Sequence, residues 1–312
     1  MNNTLISIIM NCYNGEQYLD QAIESVINQT YKNWELIFWD NLSEDNSIKI
    51  FNKYKDSRLK LFSAAKHTLL YEARNLAFKK TKGDFIAFLD TDDFWLSDKL
   101  ERQIPLFQDK EVGLVYGNYW SYKKDSLIKK KLISKKELPS GHITSQLLKN
   151  NKVGLVTIVL RKSFLNNTNN IFDVKYNLLA DFKFVIDFSL KHKFDCVQEP
   201  VAVYRNHSKQ MSIKFFTNQV KQMRDWFLSI GNENVLKTYQ EIEDLENKIK
   251  YMEIVGLIYE GKILTSLKNI LFYPFGVRKL KLILIWFLPN QILKYFIFYY
   301  KIIEFIFKFN LR

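Results

Sequence analysis

The sequence predicts an α/β protein with a mostly parallel, Rossmann-like sheet flanked by helices, followed by an appended helical region at the C-terminal end. Three observations lead to this prediction. Strand and helix signals alternate through roughly the first 110 residues, which is typical of βαβ units. Residues 85–89 are apolar without a break, as in a strand buried on both faces of a parallel sheet. From about residue 209 onward, the pattern is helical.

The first βα unit is the clearest. Residues 5–10 form a short apolar run that ends in the polar turn 11–15. Apolar residues then recur with the i, i+3, i+4, i+7, i+8 spacing of one helical face, namely at Leu19, Ala22, Ile23, Val26 and Ile27. This spacing predicts an amphipathic helix that packs on the sheet.

Further strands and helices follow the same logic. Apolar runs predict strands at six more places: 34–39, 59–62, 85–89, 112–119, 153–160 and 196–204. Helical spacing predicts four helices: one near Ile48, and others over 71–80, 141–149 and 177–192. Because no internal repeat or Pro/Ser-rich linker intervenes, we expect one α/β unit over 1–210 and a helical region over 211–312.

The net charge of +13 is concentrated in two segments. Residues 121–136 hold seven lysines against one aspartate, and residues 267–312 hold eight basic residues against one glutamate. Such segments favour an anionic partner, either phospholipid or nucleic acid, although a solvated lysine face is an equal alternative for 121–136. The two cysteines show no disulfide or metal spacing, and the N-terminal apolar run is too short for a signal peptide. We therefore expect a cytoplasmic protein.

Polar residues cluster where three of the predicted strands end, at 11–14, 40–43 and 90–93. The carboxyl ends of parallel strands meet at one edge of a sheet, and ligands bind beyond that edge. The sequence therefore predicts that these three segments form a single site.

Asp90 and Asp92 directly follow the buried strand. They lie two residues apart, so in extended geometry both carboxylates point to the same side. Hard oxygen ligands of this kind suit Mg²⁺ or Mn²⁺, and either ion would neutralise charge on a departing diphosphate. The alternative is a turn with helix-capping carboxylates, but the context after an all-apolar strand favours a metal site.

Four segments in this order resemble family 2 glycosyltransferases: 6–16, 35–45, 73–75 and 83–93. The similarity is close over residues 5–110 and looser over 150–210. It implies the glycosyltransferase-A fold and transfer of a sugar from a nucleotide-sugar donor, with inversion at the anomeric carbon.

The resemblance also implies roles for single residues. Asn11, Tyr13, Asp40 and Arg74 match the nucleotide pocket, in which Tyr13 packs near the base and Asp40 accepts hydrogen bonds from a uracil or thymine ring. Tyr13 as a core aromatic and Arg74 as a surface helix residue are the alternatives.

Asp90 and Asp92 match the metal-binding DxD motif, with Asp92 as the more direct ligand and Asp90 also facing the nucleotide. Two features depart from the family pattern. Asn41 stands where many members have a second aspartate, and 64–70 lacks the glycine usual before Ala73-Arg74-Asn75.

Inverting transfer needs a general base that deprotonates the acceptor hydroxyl. Residues 178–184 are similar to the family segment that carries this aspartate, which identifies Asp181 as the expected base. A carboxylate that merely favours a helix N-terminus is the alternative role, and Asp173 and Asp187 are the other candidates for the base. Residues 201–208 are similar to a Tyr-Arg-x-His turn near the diphosphate, so His207 is expected to contact the metal or phosphate.

Residues 282–312 are rich in apolar and aromatic side chains, yet their longest uncharged run is too short to span a bilayer. Lysines recur there every seventh residue and form one cationic stripe, at Lys294, Lys301 and Lys308. This pattern favours a helix lying on an anionic membrane, at the inner face of the cell membrane, over a helix packed on the catalytic unit or a homo-oligomer face.

Together these features predict a metal-dependent glycosyltransferase of the hexosyltransferase type that takes a UDP-sugar or a related donor. Its expected acceptor is a glycan or lipid-linked molecule in surface polysaccharide synthesis. The alternatives are a sugar-phosphate nucleotidyltransferase, and a non-catalytic protein that binds anionic surfaces or nucleic acid. The first lacks a glycine-rich loop after the first strand, and the second lacks a recognisable nucleic-acid-binding module, so nucleic acid is not an expected partner.

Overall fold

A computed structural model describes residues 4–123, 130–165, 170–207, 210, 215–231 and 234–288. The chain divides into two compact units, Met1–Thr144 with Lys152–Asn206, and Ser145–Asn151 with His207–Arg312. The first unit contains the sheet, and the second contains only helices among its described residues.

The described residues of the first unit form one sheet of nine strands: β1 Ile6–Cys12, β2 Trp34–Asp40, β3 Leu59–Ser63, β4 Phe85–Phe88, β5 Phe94–Trp95, β6 Val112–Tyr122, β7 Lys130–Leu132, β8 Val159–Arg161 and β9 Lys193–Arg205. Their order is β3-β2-β1-β4-β8-β6-β9-β5, and β7 pairs with β6 outside this path. The predicted parallel arrangement holds across β3-β2-β1-β4 and between β6 and β9. The remaining pairs, including the junction of β4 with β8, are antiparallel. The sheet is therefore mixed.

Helices cover both faces of the parallel half. They are α1 Leu19–Ile27, α2 Ser47–Phe51, α3 Leu70–Phe78, α4 Lys99–Gln103 and, farther along the chain, α6 Ala180–Ser189. The predicted face of α1 is buried in the main core with alternate residues of β1 and β2, including Ile8, Met10 and Phe38. Helix α3 packs against β1 and β2. Because side chains alternate across a strand, helices on opposite faces of the sheet cover different strand residues.

The strand predicted over 153–160 is shorter in the structure. A 3₁₀ turn occupies Leu155–Thr157, and β8 begins only at Val159. The indole Nε1 of Trp95 donates to the Val156 carbonyl oxygen (2.8 Å), so this backbone group is not available to a neighbouring strand. A Cβ atom on Gly154 would lie 2.8 Å from the Tyr119 ring, which shows how closely the backbone approaches that side chain. Tertiary contacts therefore override the apolar pattern here.

The second unit contains α5 Thr144–Asn150, α7 Phe216–Ser229, α8 Glu241–Tyr259, α9 Ile263–Phe272 and α10 Val277–Trp286. The helical prediction beyond residue 209 is confirmed where the chain is described, and within that part no helix is long and apolar enough to cross a bilayer. Most of the segment 282–312, with all three lysines of the predicted stripe, lies outside the described residues.

Candidate active site

The three polar segments come together because their strands are neighbours. In the register of β1 with β2, Asn11 lies beside Trp39 and Cys12 beside Asp40. On the other side of β1, Ile9 lies beside Phe88 of β4, and the Leu89 N–H donates to the Ile9 carbonyl oxygen (3.0 Å). The ends of β1, β2 and β4 therefore form one edge, as the sequence predicts.

The turn after β4 carries a cluster of acidic side chains. One carboxylate oxygen from each of Asp90, Asp92 and Asp93 lies within 4.8 Å of the others. Asp93 is buried, and its carboxylate accepts a hydrogen bond from the Arg205 N–H at the end of β9 (2.8 Å). The sequence predicted the first two residues as a pair, and the structure adds Asp93 to them.

Gly15 allows the β1–α1 loop to approach this turn closely. A Cβ atom at Gly15 would lie 2.8 Å from the Thr91 hydroxyl oxygen and 3.1 Å from the Cys12 sulfur. Any larger residue would push the loop away from the acidic turn, because real Cβ atoms do not approach so closely.

Arg74 is buried beside the cluster. Its guanidinium forms an ion pair with Asp90 and lies 4.7 Å from the centre of the Tyr71 ring. The alternative of a surface helix residue is therefore wrong, since only 3% of Arg74 is exposed. Burial raises the pKa of the Asp90 carboxyl, Arg74 opposes this rise, and the neighbouring Asp92 reinforces it.

A divalent cation fits this donor set. Three carboxylates that crowd one another destabilise their own ionised forms, and a cation among them relieves that repulsion. Asp90 and Asp92 supply the hard oxygen ligands that Mn²⁺ and Mg²⁺ prefer. His207 belongs to the other unit and is not part of the cluster found among the described residues, so its contact with metal or phosphate stays a prediction.

Asp181 lies in the first turn of α6, on the Arg74 side of the cluster. Its side chain hydrogen-bonds the buried Tyr71, and burial together with Asp181 raises the pKa of that phenol. The other two candidates for the base, Asp173 and Asp187, both face Lys183, at 3.7 and 2.6 Å from its Nζ. Asp181 also acts on the acidic turn, because its negative charge helps to raise the pKa of Asp90.

Asn11 is buried at the end of β1, with 9% of its surface exposed. Among the described residues, neither its amide nitrogen nor its amide oxygen has a hydrogen-bond partner. Burying such a group without a partner costs about 1–3 kcal/mol, so a buried orphan amide at a sheet edge indicates a place where a ligand supplies the partner.

Of the two residues that are expected to contact the base of the nucleotide, Asp40 is buried and Tyr13 is exposed. Asp40 is 1% exposed, and its carboxylate accepts from the Ser43 N–H (3.2 Å). Tyr13 is 51% exposed, so it is not a core aromatic, and its ring centre lies 4.2 Å from that of His67. No sequence pattern points to His67, because folding alone brings it next to Tyr13.

The structure explains why Asn41 replaces an acidic residue. Its Nδ2 donates to the Thr68 carbonyl oxygen (2.8 Å), while its Oδ1 accepts from the Thr68 N–H and hydroxyl (3.2 and 3.1 Å). An aspartate could not donate, so only the amide satisfies both sides of this contact. Asn41 therefore anchors the 64–70 loop that lacks the usual glycine.

Comparison with known proteins gives a consistent result. A family model described as glycosyl transferase family 2 matches residues 7–166. The Escherichia coli UDP-Glc:alpha-D-GlcNAc-diphosphoundecaprenol beta-1,3-glucosyltransferases WfgD and WfaP are 40% and 36% identical over 166 and 163 residues. These alignments cover 53% and 52% of this chain, but only 64% and 63% of the relatives' own lengths. A glycosyltransferase of Haemophilus influenzae is 25% identical over 278 residues, which is 85% of each chain.

Solved structures share the fold at low sequence identity. S. aureus TarS residues 1–349 in complex with UDP has a TM-score of 0.56 and 17% identity, covering 78% of this chain and 71% of that one. The mannosyltransferase PcManGT from Pyrobaculum calidifontis, in complex with GDP-Man and Mn2+, has a TM-score of 0.62 and 12% identity, covering 97% and 84%. The expected glycosyltransferase-A architecture is thereby confirmed.

Proposed function

Because the chain belongs to glycosyl transferase family 2, we propose that it is an inverting hexosyltransferase that uses a nucleotide-sugar donor, most simply a UDP-sugar. We propose a lipid-linked glycan of surface polysaccharide synthesis as its acceptor. The observation that carries the proposal is the cluster of three carboxylates at the edge of the parallel strands, with Asp181 close by. Two relatives whose names include UDP-Glc and a diphosphoundecaprenol-linked sugar support the choice of donor and acceptor.

In this proposal the nucleotide occupies the edge formed by β1 and β2. Tyr13 offers an exposed ring for stacking on the base, and Asp40 offers carboxylate lone pairs to a uracil N–H. The orphan amide of Asn11 gains a hydrogen-bond partner when the donor binds. Arg74 keeps Asp90 in place from the buried side.

Asp181 acts as the general base. Its carboxylate takes the proton of the acceptor hydroxyl while that oxygen attacks the anomeric carbon of the donor from the side opposite the diphosphate. The new glycosidic bond forms as the bond from the anomeric carbon to the diphosphate oxygen breaks, so the configuration inverts. The bonding electrons leave with the nucleoside diphosphate. A divalent cation, Mn²⁺ or Mg²⁺, held by Asp90 and Asp92 would supply positive charge for the departing diphosphate.

The nucleotidyltransferase alternative is disfavoured by the β1–α1 loop. A phosphate cradle needs backbone N–H groups that point at the ligand. Here the N–H groups of Asn14, Gly15 and Glu16 donate to side chains of the next loop, at 3.0, 2.9 and 2.9 Å. Those donors are therefore already used within the protein.

Two substitutions separate donor binding from chemistry. Asp181→Asn removes the base but keeps its shape, so transfer should fall by at least ~100-fold, while the affinity for UDP with Mn²⁺ stays within about threefold. Asp92→Asn should weaken Mn²⁺-dependent UDP binding itself, measured by calorimetry. Full transfer activity in the Asp181 variant would rule out its role as the base, and unchanged Mn²⁺ dependence in the Asp92 variant would rule out the metal site.

We also propose that the helical unit attaches the enzyme to an anionic membrane and that residues 1–210 carry the chemistry. Helix α9 and the turn that follows it expose the large apolar side chains of Leu264, Phe272 and Phe275, at 84, 82 and 88% exposure. Residues 261–288 contain five basic residues and no acidic one. A surface that is both apolar and cationic matches the interface of an anionic bilayer.

A further inference from the structure

A cavity of about 370 Å³ lies in the first unit, on the Arg205 side of the acidic cluster. Residues from the start of α1, from β5, and from the ends of β6 and β9 line it together with one residue of β7. They are Tyr18, Gln21, Phe94, Tyr122, Lys130, Arg205 and Asn206. None of them has a role in the function proposed above.

The chemistry of the lining selects for a negatively charged ligand. Its two charged residues, Lys130 and Arg205, are both cationic, and no acidic residue is found in the wall within the described part of the chain. Three aromatic rings and two side-chain amides complete the wall. Cations with amide donors bind phosphate oxygens, and aromatic walls pack against sugar rings or alkyl chains.

Arg205 is a buried part of the cavity wall, with 6% of its surface exposed. Its guanidinium lies between the rings of Tyr18 and Phe94, at 4.6 and 4.8 Å from their centres. Nη1 donates to the Asp92 carbonyl oxygen (2.6 Å), and Nη2 donates to the side-chain oxygen of Gln21. The cavity therefore adjoins the cluster through the backbone of Asp92.

Lys130 connects the cavity with a sequence feature that the proposed function leaves unexplained. It is the first residue of β7 and lies in the lysine-rich segment 121–136. Lys130 and Lys131 are both exposed, and neighbouring residues of a strand point to opposite faces, so only Lys130 contributes to the cavity wall. The exposed ammonium group of Lys130 at the cavity wall raises the local concentration of anionic ligands.

We propose that this cavity binds the diphosphate of the lipid-linked acceptor. The inference rests on the proposed function and adds to it the part of the acceptor that the enzyme recognises. Arg74 reaches the cluster through Asp90 from the donor side, whereas Arg205 reaches it through Asp92 and Asp93. The cavity therefore lies on a different side of the cluster from Arg74, and its exposed cation is Lys130.

The test compares Lys130→Glu with the matched control Lys131→Glu, which makes the same charge change on the opposite face of β7. The first probe is an alkyl diphosphate without a sugar, whose binding to the full chain is measured by calorimetry without donor. We expect Lys130→Glu to weaken this binding about tenfold, because charge reversal replaces an attraction by a repulsion. Lys131→Glu should stay within about twofold, and added salt should weaken binding to the wild type.

The second probe pair tests acceptor use. One acceptor carries N-acetylglucosamine on an alkyl diphosphate, and the other carries the same sugar on the same alkyl chain without phosphate. Lys130→Glu should raise KM for the acceptor with the diphosphate. It should leave KM for the acceptor without phosphate, and the affinity for UDP, unchanged. The inference fails if Lys130→Glu and Lys131→Glu weaken binding of the alkyl diphosphate equally. It also fails if Lys130→Glu lowers the affinity for UDP instead. If the wild type binds the alkyl diphosphate through Lys130 but transfers no sugar, the proposed function fails while the anion site stands.

Discussion

The ion pair between the buried Arg74 and the partly exposed Asp90 dominates the site at the scale of single residues. Removing the partner of a buried charge costs up to about 3–5 kcal/mol, because the remaining charge is left uncompensated, and solvent at Asp90 reduces this cost. Arg74 therefore favours the ionised form of Asp90 against the effects of burial and of Asp92, which together raise the pKa of this carboxyl. A metal ion at the cluster would have to share the Asp90 carboxylate with Arg74, which favours Asp92 as the more direct ligand in the proposed site.

Lys99 is a second buried charge, and it has no role in the proposed site. It is 0% exposed, its Nζ donates to the Gln103 side chain (2.6 Å), and it lies 4.2 Å from the Trp95 ring centre. Burial lowers the pKa of Lys99 well below its usual range. The unfolded chain therefore binds this proton more tightly than the folded protein does.

This difference makes stability depend on pH. The cost of burying Lys99 is present at neutral pH and declines as the pH rises toward the ordinary lysine pKa of about 10.5. The free energy of unfolding of the wild type should therefore rise relative to that of Lys99→Met between pH 7 and 9.5, by on the order of 1 kcal/mol. Urea denaturation measures it, with exposed Lys131→Met as the control. Parallel pH curves for the wild type and Lys99→Met would contradict this expectation.

Helix α3 organises the site at the scale of elements. One face carries Arg74 to the acidic cluster, and Asn75 on the same helix fixes the segment that leads into α6. The Asn75 side chain accepts from the N–H groups of Ile171 and Phe172 (3.0 Å each) and donates to the Phe172 carbonyl oxygen (2.7 Å). The helix therefore links the metal-binding turn to the chain that holds Asp181.

Asn75→Ala leaves three backbone groups without their partner. We expect the free energy of unfolding to fall by about 3 kcal/mol, since each unsatisfied buried group costs about 1–3 kcal/mol and the loop relaxes in part. Transfer activity should fall as well, because Asp181 follows the released segment. Chemical denaturation and kinetic assays provide the measurements, with Asn52→Ala on the exposed end of α2 as the control. Wild-type stability in Asn75→Ala would show that these hydrogen bonds do not hold the segment.

At the scale of the whole molecule, the chain joins a sheet unit to a helical unit. The exposed rings of Phe272 and Phe275 lie in the helical unit, whereas every residue of the proposed donor and acceptor sites except His207 lies in the sheet unit. Substitutions can therefore test the proposed membrane attachment and the proposed chemistry separately.

A triple substitution tests membrane attachment: Leu264→Ser, Phe272→Ser and Phe275→Ser. Binding to vesicles that contain phosphatidylglycerol should fall at least ~10-fold, since each large side chain gains about 1.5–3 kcal/mol when fully buried in an apolar phase. Activity on a water-soluble acceptor should persist. Leu228→Ser, at an exposed position of α7, is the control. If the wild type forms a dimer in sedimentation and the triple variant is a monomer with unchanged vesicle binding, a second copy covers this surface instead.

The alternating pattern of the sequence determined the βα units, because burial on a sheet leaves a periodic record in the chain. It also determined the convergence of residues 11–14, 40–43 and 90–93, since ends of neighbouring parallel strands must meet. The antiparallel pairing of β4 with β8 could not be predicted from the sequence. A strand has the same pattern of apolar residues whether its neighbour runs parallel or antiparallel to it.

Only the tertiary structure decided which side chains meet across the loops. The approach of His67 to Tyr13, the hydrogen bond from Arg205 to Asp93 and the burial of Arg74 against Asp90 all join residues from different elements. The same holds for the cavity around Arg205, whose wall combines five separate strands and helices with the residue after β9. Periodicity specifies which face of an element is buried, whereas contacts between loops depend on the packing of the entire sheet.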